Sequence, residues 1–285
     1  MKTIIACLDG SAHADDVITL AAWASERTGA NVSLLHMVPT HVEAPVSADL
    51  SGQIGLGAKS DLLEELTKIE QEHGKLEQKK GQLILDHAKQ ALAARSTASV
   101  ELLHRRGALV DEIQQLEAGT DLVIIGKRGE TKTDVQGHVG ANLERVSRAI
   151  HQPLLIATHQ AKPVERFLIA YDGRASSDKA VEFAMSSPLL KGLECHLLKV
   201  GTDNSLSDAI VRKAKTKLEG AGYSVKAKVV DVSSVDQAMT HYVAKNHIDL
   251  LLMGAYGHSP LRRFFLGSTT MAQISQSKVP VLLFR

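Results

Sequence analysis

The sequence predicts an α/β fold in which two tandem domains each form a doubly wound, five-stranded parallel sheet with helices on both faces. Short aliphatic runs alternate with helical segments along the whole chain, which is the pattern of parallel strands joined by crossover helices. The same order of segments occurs twice, so the chain contains two copies of one unit. A length of 285 residues with 44% hydrophobic residues is sufficient for two ordinary domain cores.

The first copy begins with an apolar strand that ends in Asp9-Gly10, and a helix follows this pair. Its fourth strand is the aliphatic run that ends at Gly126, and a run after Pro153 provides the fifth strand. The predicted strands of this copy are 2–8, 31–38, 99–104, 121–126 and 152–157, and the first predicted helix is 15–27.

The second copy repeats this order, beginning with a strand that ends in Asp172-Gly173. The polar segment 158–163 separates the copies, so we predict domains at 1–158 and 164–285. In sheets of this kind ligands bind beyond the carboxyl ends of the strands, at the point where the strand order reverses. The predicted strands of this copy are 165–171, 193–200, 224–230, 249–253 and 279–284, and its first predicted helix is 177–186.

The copies differ most between their second and third strands, where the first copy has about 60 residues and the second about 23. We interpret the difference as a helical insertion at about 44–80, with a loop at 44–60 and a long helix at 61–95. This helix either packs on its own sheet as a solvated crossover or acts as an arm that contacts a partner, and the loop could act as a lid. A weak heptad stripe marks the helix: Leu62, Leu66, Ile69, His73, Leu76, Lys80 and Leu83.

Composition excludes several classes of protein. The net charge is +1, from 33 basic and 32 acidic residues, and aromatic residues make up only 4%, so we expect no nucleic-acid partner. No apolar run reaches the ~20 residues of a transmembrane helix, and the N-terminal run is too short for a signal peptide, so we expect a cytoplasmic protein. Cys7 and Cys195 lie within strands and are expected to be buried, reduced thiols.

A glycine motif in the second copy follows its fourth strand: Gly254 and Gly257, then nine residues, then Gly267-Ser268. Ser268 opens the next helical segment, so the end of a strand and the start of a helix are expected to converge. Exposed backbone amides, the helix dipole and the absence of Cβ atoms suit such a point to phosphate.

The first copy carries an altered form of this motif, with Gly126 and Gly129 in place. Ten residues rather than nine precede Gly140, and Ala141 replaces the serine. Loss of one hydroxyl removes a hydrogen bond worth about 0.5–1.5 kcal/mol. The extra loop residue displaces backbone donors as well, so we expect weaker nucleotide binding in this copy.

These residues resemble the signature of the universal stress protein family, Gly-x2-Gly-x9-Gly-Ser/Thr, which the second copy matches at every position and spacing. The two copies resemble the tandem form of that family over almost the whole chain. The resemblance implies Rossmann-like domains of the adenine nucleotide alpha hydrolase type, with ATP, ADP or AMP as the cofactor and Mg²⁺ on the phosphates. It also implies a regulatory role in the stress response.

The resemblance assigns a role to each matching position of the second copy. Asp172 is expected to contact the adenosine end of the nucleotide, Val200 to pack on the base, and the motif to hold ribose and phosphates. The predicted cofactor-binding residues are Ala170, Tyr171, Asp172, Val200, Met253, Gly254, Gly257, His258, Gly267, Ser268, Thr269 and Thr270. The corresponding candidates of the first copy are Asp9, Val38, Gly126, Gly129, Gly140 and Ala141.

Structural interpretations compete with these assignments. Asp9, Asp172 and Ser268 are also favoured helix caps. Loop cations near the glycines could reach phosphate or point to solvent; they are Lys127, Arg128, Arg262 and Arg263. The 13 histidines are scattered without a metal-binding spacing, so we expect no metal site.

Three functions remain open: a nucleotide-binding regulator, a slow ATPase or autophosphorylating enzyme, and a nucleotide-free interaction scaffold. The chain has no Gly-x4-Gly-Lys-Ser/Thr phosphate loop and no identifiable catalytic residue, which favours the regulator. A protein partner is expected but not identifiable. The fifth strands, 154–157 and 281–284, could pair within one chain as an internal pseudo-dimer. We expect a compact two-lobed monomer or a homodimer of such chains.

Overall fold

A computed structural model describes residues 1–38, 56–129, 139–201, 205–232, 234–255 and 268–285, with the side chains of 56–63, 268 and 269 excepted. Ten strands and eight α-helices alternate in this part of the chain. The strands are Thr3–Leu8 (β1), Asn31–Val38 (β2), Val100–Arg106 (β3), Leu122–Gly126 (β4), Leu154–Ala157 (β5), Arg166–Ala170 (β6), Glu194–Val200 (β7), Val225–Val230 (β8), Leu250–Gly254 (β9) and Val281–Phe284 (β10). The helices are Ala14–Thr28 (α1), Leu56–Ala93 (α2), Leu109–Leu116 (α3), Ala141–Ala149 (α4), Ala175–Ser186 (α5), Ser205–Gly220 (α6), Val235–Lys245 (α7) and Ser268–Gln276 (α8).

All ten strands form one sheet, in the order β3-β2-β1-β4-β5-β10-β9-β6-β7-β8. The α/β prediction is confirmed, and every pairing within the first half (β1–β5) and the second half (β6–β10) is parallel. The halves meet through β5 and β10, which pair antiparallel with Leu155 opposite Leu282. The two five-stranded sheets are therefore one continuous sheet, joined by the fifth strands as the internal-pairing hypothesis expects.

The central strands are short aliphatic runs because helices cover both faces of the sheet. One apolar layer lies between the sheet and α1, α2, α5 and α6, and the other lies beneath α3, α4, α7 and α8. Each layer extends across both halves, as Ile4 and Phe167 share the first and Ile5 and Leu168 share the second. The alternating direction of side chains along a strand accounts for this division.

Helix α2 is the largest difference between the halves, with 38 residues against 16 in α6. The C-terminal part of α2 packs on its own sheet through Leu85, Ala88 and Leu92, which are buried. The face that carries the heptad stripe does not pack there, since the side chains of Leu66, Ile69, Leu76 and Leu83 are exposed. The predicted loop at 44–60 already forms the first turns of this helix from residue 56, and its earlier part lies outside the described residues.

Close approach of α2 to the sheet depends on Gly81. A Cβ atom at this position would lie 2.5 Å from both His104 Nε2 and His36 Cδ2. Those histidines face each other on adjacent strands, where β2 and β3 pair in parallel. A glycine inside a helix lowers helix stability by about 1 kcal/mol relative to alanine, but here it gives the two imidazole rings their space.

Both cysteines are buried and free, as expected from the sequence. Burial raises the pKa of the Cys7 thiol to about 12, with a further contribution from the charge of Asp9, and it raises the pKa of Cys195 to about 12. Within the described ranges, no helix is both long and apolar enough to cross a membrane.

Candidate functional site

The strand order of each half reverses between its first and fourth strands, and the predicted motifs lie at these two points. In the first half β1 lies beside β4, with Ala6 opposite Ile124. In the second half β6 lies beside β9, with Ala170 opposite Met253. Because parallel strands end at the same edge, the Asp-Gly turn and the glycine turn of each half are neighbours.

In the second half, Asp172 organises the turn between β6 and α5. Its Oδ1 accepts hydrogen bonds from the Arg174 backbone N–H, at 3.0 Å, and from the Ser177 hydroxyl, at 2.7 Å. Oδ2 lies 3.8 Å from the Arg174 guanidinium, and 43% of the Asp172 side chain is exposed. Arg174, not Asp172, is the N-cap residue of α5, so the interpretation of Asp172 as a simple helix cap is wrong.

Tyr171 turns to the opposite side from the other predicted residues of this site. Its hydroxyl donates to Asp178 Oδ1 at 2.6 Å, and burial together with this bond raises the pKa of the phenol well above its usual range. Ala170, Val200 and Met253 instead belong to the apolar layer beneath α7 and α8. The side chain of Tyr171 therefore holds α5 in place, and the three apolar residues lie together on the face that carries α8.

Gly254 has a packing role that the sequence does not reveal. A Cβ atom there would lie 2.3 Å from Ser176 Oγ, 2.7 Å from its Cβ and 3.0 Å from its backbone carbon. The two contacts with the Ser176 side chain are shorter than those of real Cβ atoms, so glycine is required where the first turn of α5 crosses the end of β9. This requirement holds whether or not a ligand is bound.

Thr270 joins the end of β9 to the first turn of α8. Its hydroxyl donates to the carbonyl oxygen of Ala255 at 3.1 Å, and its side chain is only 5% exposed. The amino end of α8 therefore lies against the carboxyl end of β9, which is the convergence that the glycine spacing predicts. Gly257, His258 and Gly267, with Arg262 and Arg263, lie outside the described residues, and the side chains of Ser268 and Thr269 are likewise not described.

In the first half, the corresponding position is a cavity of about 280 Å³ at the ends of β1 and β4. This volume is close to the lower limit of about 300 Å³ for small-molecule pockets. Met37 contributes to its wall, and Val38, the residue expected from the sequence, does not. The wall includes the other five candidates of this copy, Asp9, Gly126, Gly129, Gly140 and Ala141.

The glycines of the first half approach Asp9 and one another closely. A Cβ atom on Gly129 would lie 3.2 Å from Asp9 Oδ2, and one on Gly140 would lie 3.3 Å from the Gly129 backbone nitrogen. Gly140 is the N-cap of α4 and makes no side-chain cap, and the first residues of this helix, Ala141 and Asn142, contribute to the cavity wall. His13, not Asp9, is the N-cap residue of α1, so simple capping is also the wrong interpretation of Asp9.

The loop cations of the first half have different environments. The Lys127 ammonium donates to the carbonyl oxygen of Ser277 in the second half, at 3.0 Å. Burial lowers the pKa of Lys127 to about 8, and the charge of Arg128 adds to the shift. Arg128 contributes to the cavity wall. Lys127 therefore fastens the two halves together rather than reaching toward the cavity.

A group of ionisable side chains that sequence reasoning missed lies beside this cavity. His13, Asp16 and His159 place one nitrogen or oxygen atom each within 4.8 Å of the others. His13 also contributes to the cavity wall, where its Cβ lies 2.9 Å from the position of a Cβ on Gly126. A histidine and an aspartate three residues apart are common at the start of a helix, and His159 is remote from both in sequence. No local sequence pattern therefore predicts this group.

Comparison with known proteins gives one consistent relationship. The model of the universal stress protein family matches residues 1–158 and 163–285. The chain is 39% identical over 288 residues to the universal stress protein Slr1230 of Synechocystis sp. (strain PCC 6803), with 100% of both chains covered. It is 29% identical over 90 residues to the universal stress protein MJ0577 of Methanocaldococcus jannaschii, covering 29% of this chain and 55% of that protein.

Among solved structures, a universal stress protein from Archaeoglobus fulgidus superposes with a TM-score of 0.76 at 19% identity, covering 99% of this chain and 98% of that one. This likeness shows that the ten-stranded arrangement is a fold known from experiment. The family match to both halves and the 39% identity over the full length lead to the same assignment. The chain therefore belongs to the universal stress protein family, in its tandem two-domain form.

Proposed function

We propose that this protein binds an adenine nucleotide, mainly in its second half, and acts as a regulatory or sensor protein of the stress response. The observation that supports this proposal best is the hydrogen bond from Thr270 to Ala255. It holds the amino end of α8 at the carboxyl end of β9, beside the turn that carries Asp172. Helix dipole and unpaired amides at such an end favour phosphate groups.

The described side chains suggest how the nucleotide lies. Oδ2 of Asp172 suits the hydroxyl or amino groups of the adenosine end, because Oδ1 is already bonded within the turn and the side chain is 43% exposed, with the Arg174 guanidinium 3.8 Å from Oδ2. Val200 and Met253 offer an apolar surface to the base. Ribose and phosphates then reach Gly257, Gly267, Ser268 and Thr269 along the glycine motif, with His258 nearby in sequence. We assign Thr270 a positioning role, because its hydroxyl is already bonded inside the protein.

The cofactor in this proposal is ATP, ADP or AMP, with Mg²⁺ on the phosphates where two or more are present. Magnesium commonly binds nucleotides through phosphate oxygens and water, so it needs no dedicated protein ligands. Nucleotide state then changes the shape or the partner preference of the protein. The proposed location is the cytoplasm, where thiols such as Cys7 and Cys195 stay reduced.

The first half is proposed to bind nucleotide weakly at most. Its cavity of about 280 Å³ is small, and the His13 ring occupies part of its wall. Ala141 provides no hydroxyl at the helix start, and the loop before it is one residue longer than its counterpart.

Titration calorimetry of ATP and AMP with Mg²⁺ tests the proposal on the wild type, Gly267→Val and the matched first-half variant Gly140→Val. We expect one site per chain in the wild type, no binding by Gly267→Val, and unchanged binding by Gly140→Val. A melting curve for each variant shows that it is folded. Two sites in the wild type, or binding that survives Gly267→Val, would contradict the assignment to the second half.

A measurement of phosphate release distinguishes the alternative function, a slow ATPase, from a nucleotide-binding regulator. A regulator is expected to release phosphate far more slowly than it exchanges nucleotide, and Gly257→Ala is expected to leave that low rate unchanged within error. Fast turnover that Gly257→Ala abolishes would establish an enzyme instead. Absence of any nucleotide binding would leave the interaction scaffold as the remaining function.

A further inference from the structure

Two histidines and one aspartate converge where the first half meets the linker to the second. His13 lies at the start of α1, Asp16 one turn later, and His159 just after β5. Asp16 Oδ2 lies 3.6 Å from His13 Nδ1 and 3.5 Å from His159 Nδ1. The imidazole rings stand edge to face, with their centroids 6.0 Å apart.

These separations are close to those of a metal site. With zinc–nitrogen and zinc–oxygen bonds of about 2.0–2.1 Å, neighbouring ligand atoms of a tetrahedral site lie about 3.3 Å apart. The separations of Asp16 Oδ2 from His13 Nδ1 and from His159 Nδ1 exceed this value by only about 0.2–0.3 Å. The nitrogen atoms of the two histidines lie within 4.8 Å of each other, so metal binding requires them to approach by up to about 1.5 Å. The His159 side chain is 69% exposed, which leaves it room to rotate.

We propose that His13, Asp16 and His159 bind one divalent transition-metal ion, with zinc as the best-suited ion, and leave a fourth coordination position open to water or another ligand. Two imidazoles and one carboxylate are a ligand set that suits zinc and neighbouring transition metals better than magnesium or calcium. The proposal is independent of nucleotide binding.

The environment of His13 supports the proposal. Its Nδ1 atom is buried and has no hydrogen-bond partner among the described residues, which is an unfavourable state for a polar atom. A bound metal ion would supply the missing partner.

Asp16 is already oriented for this role. Its Oδ1 accepts a hydrogen bond from the Ala161 backbone N–H at 2.9 Å, which turns Oδ2 toward the two imidazoles. Carboxylate ligands are commonly held by such outer contacts. Because Ala161 and His159 both belong to the linker, the metal ion would fasten that linker to α1 and thereby fix how the halves are joined.

The second half cannot form the same site. Alignment of the two Asp-Gly turns places Ser176 opposite His13 and Lys179 opposite Asp16. The Lys179 ammonium donates to the carbonyl oxygen of Arg285 instead. The proposal therefore requires one metal ion per chain rather than one per repeat, and the ion lies in the half whose glycine motif is altered.

The test is a calorimetric titration of Zn²⁺ into the full-length, chelator-treated protein without nucleotide. Variant His159→Ala removes an exposed ligand and is expected to fold normally. Its matched control is His151→Ala, because His151 is 75% exposed and lies 3.5 Å from Glu117 Oε2, a histidine–carboxylate pair that has no third ligand among the described residues. We expect one zinc ion per chain in the wild type and in His151→Ala, and binding at least tenfold weaker in His159→Ala.

Cobalt provides a second readout that does not depend on heat signals. Co²⁺ in place of Zn²⁺ is expected to give the intense visible absorption of a four-coordinate ion in the wild type and His151→Ala, and to lose it in His159→Ala. The proposal is overturned if the wild type binds no zinc, if His159→Ala binds it as tightly as the wild type, or if His151→Ala weakens it equally. A failed nucleotide titration would leave all of these outcomes unaffected.

Discussion

The two Asp-Gly turns of this protein begin alike and then diverge. After Asp172, the chain places the small residue Ser176 beneath Gly254, and the glycine motif that follows keeps its full spacing. After Asp9, it places His13 beneath Gly126, and the glycine motif is stretched and loses its serine. Duplication preserved the sheet order in both halves, but the chemistry at the strand ends differs. A shared fold therefore does not imply a shared ligand.

The aspartates illustrate the same divergence at the level of hydrogen bonds. Asp172 Oδ1 holds both the Arg174 amide and the Ser177 hydroxyl, so the turn before α5 is rigid. Among the described residues, Asp9 Oδ1 accepts a hydrogen bond only from the Ser11 amide, at 3.0 Å. The first-half turn has fewer restraints on its carboxylate, which leaves that residue free to serve a different ligand.

The largest expected effect concerns the two strand-end glycines. We expect Gly254→Ala to destabilise the protein by about 3 kcal/mol, because its Cβ would overlap the side chain and the backbone of Ser176. Gly126→Ala is expected to cost about 1–2 kcal/mol, since its nearest neighbour, His13 Cβ, would lie 2.9 Å away. Urea denaturation of the two variants measures the difference. Equal or negligible losses would show that the halves pack alike at this point.

A double mutant sharpens this test. Gly254→Ala combined with Ser176→Gly is expected to recover part of the lost stability, because two of the three close contacts come from the Ser176 side chain. Ser176→Gly combined with Gly126→Ala provides the matched control and is expected to show simple additivity, since these positions lie in different halves. Strong coupling in the control would contradict the packing argument.

Helix α2 is much longer than its counterpart in the second half, α6. Substitution of two of its glycines by alanine is expected to change the stability of the protein in opposite directions. Gly81→Ala should destabilise the protein by about 2 kcal/mol, because its Cβ would meet His36 and His104, and a hydrogen bond from His36 Nδ1 to the Leu8 carbonyl oxygen fixes the first ring. Gly74→Ala should stabilise it by about 0.5–1 kcal/mol, since nothing lies within 4 Å. Thermal unfolding measures both, and the same sign for both would refute this account of the helix.

Much of the fold was predictable because it depends on local patterns. Alternation of aliphatic runs and helical segments predicts the order of elements, and the repeat predicts that both halves have the same topology. The heptad stripe of α2 does not mark the face that packs on the sheet, because Leu76 and Leu83 are exposed. The face that packs contains Leu85, Ala88 and Leu92 together with Gly81, and Gly81 carries no hydrophobic signal even though it allows the closest approach to the sheet.

The candidate sites were predictable only in part. Glycine spacing predicts that the turns after the first and fourth strands meet, and Gly129 does lie against Asp9. The spacing does not reveal that Gly254 is required by the packing of α5. The group of His13, Asp16 and His159 depends on a contact between residues far apart in the chain, and sequence patterns of metal ligands detect mainly local spacings.

The serine of the complete motif offers a direct comparison of ligand binding. Ser268→Ala is expected to weaken nucleotide binding by up to about tenfold, since one hydrogen bond is worth about 0.5–1.5 kcal/mol. The reciprocal change, Ala141→Ser, is expected to leave the stoichiometry at one site, because the spacing between Gly129 and Gly140 is still one residue longer than in the second half. Calorimetry measures both. A second site in Ala141→Ser would show that the serine alone separates the halves.

The smallest expected effect is a pair of acid transitions that distinguish the halves. Burial and the neighbouring His36 lower the pKa of His104 below its usual 6.5, so the unfolded chain binds this proton more readily than the folded one. The contribution of neutral His104 to the free energy of unfolding is therefore complete above about pH 6.5, and it is lost as the pH falls below that value. The aligned positions of the second half are Leu198 and Lys228, which pair on β7 and β8 and lack this response.

The second half has its own transition at lower pH. A hydrogen bond from Lys226, followed by one from His196, lowers the pKa of Glu194 from 4.5 to about 2. Its stabilisation is present above pH 4.5 and is lost as the pH falls toward 2, and water screens the effect because the side chain is one-third exposed. Urea midpoints measured from pH 8 to pH 3 should fall less steeply below about pH 6.5 in His104→Gln, and less steeply below pH 4.5 in Glu194→Gln, than in the wild type. If either substitution changed the slope in both pH ranges, the two halves would not respond to protons separately.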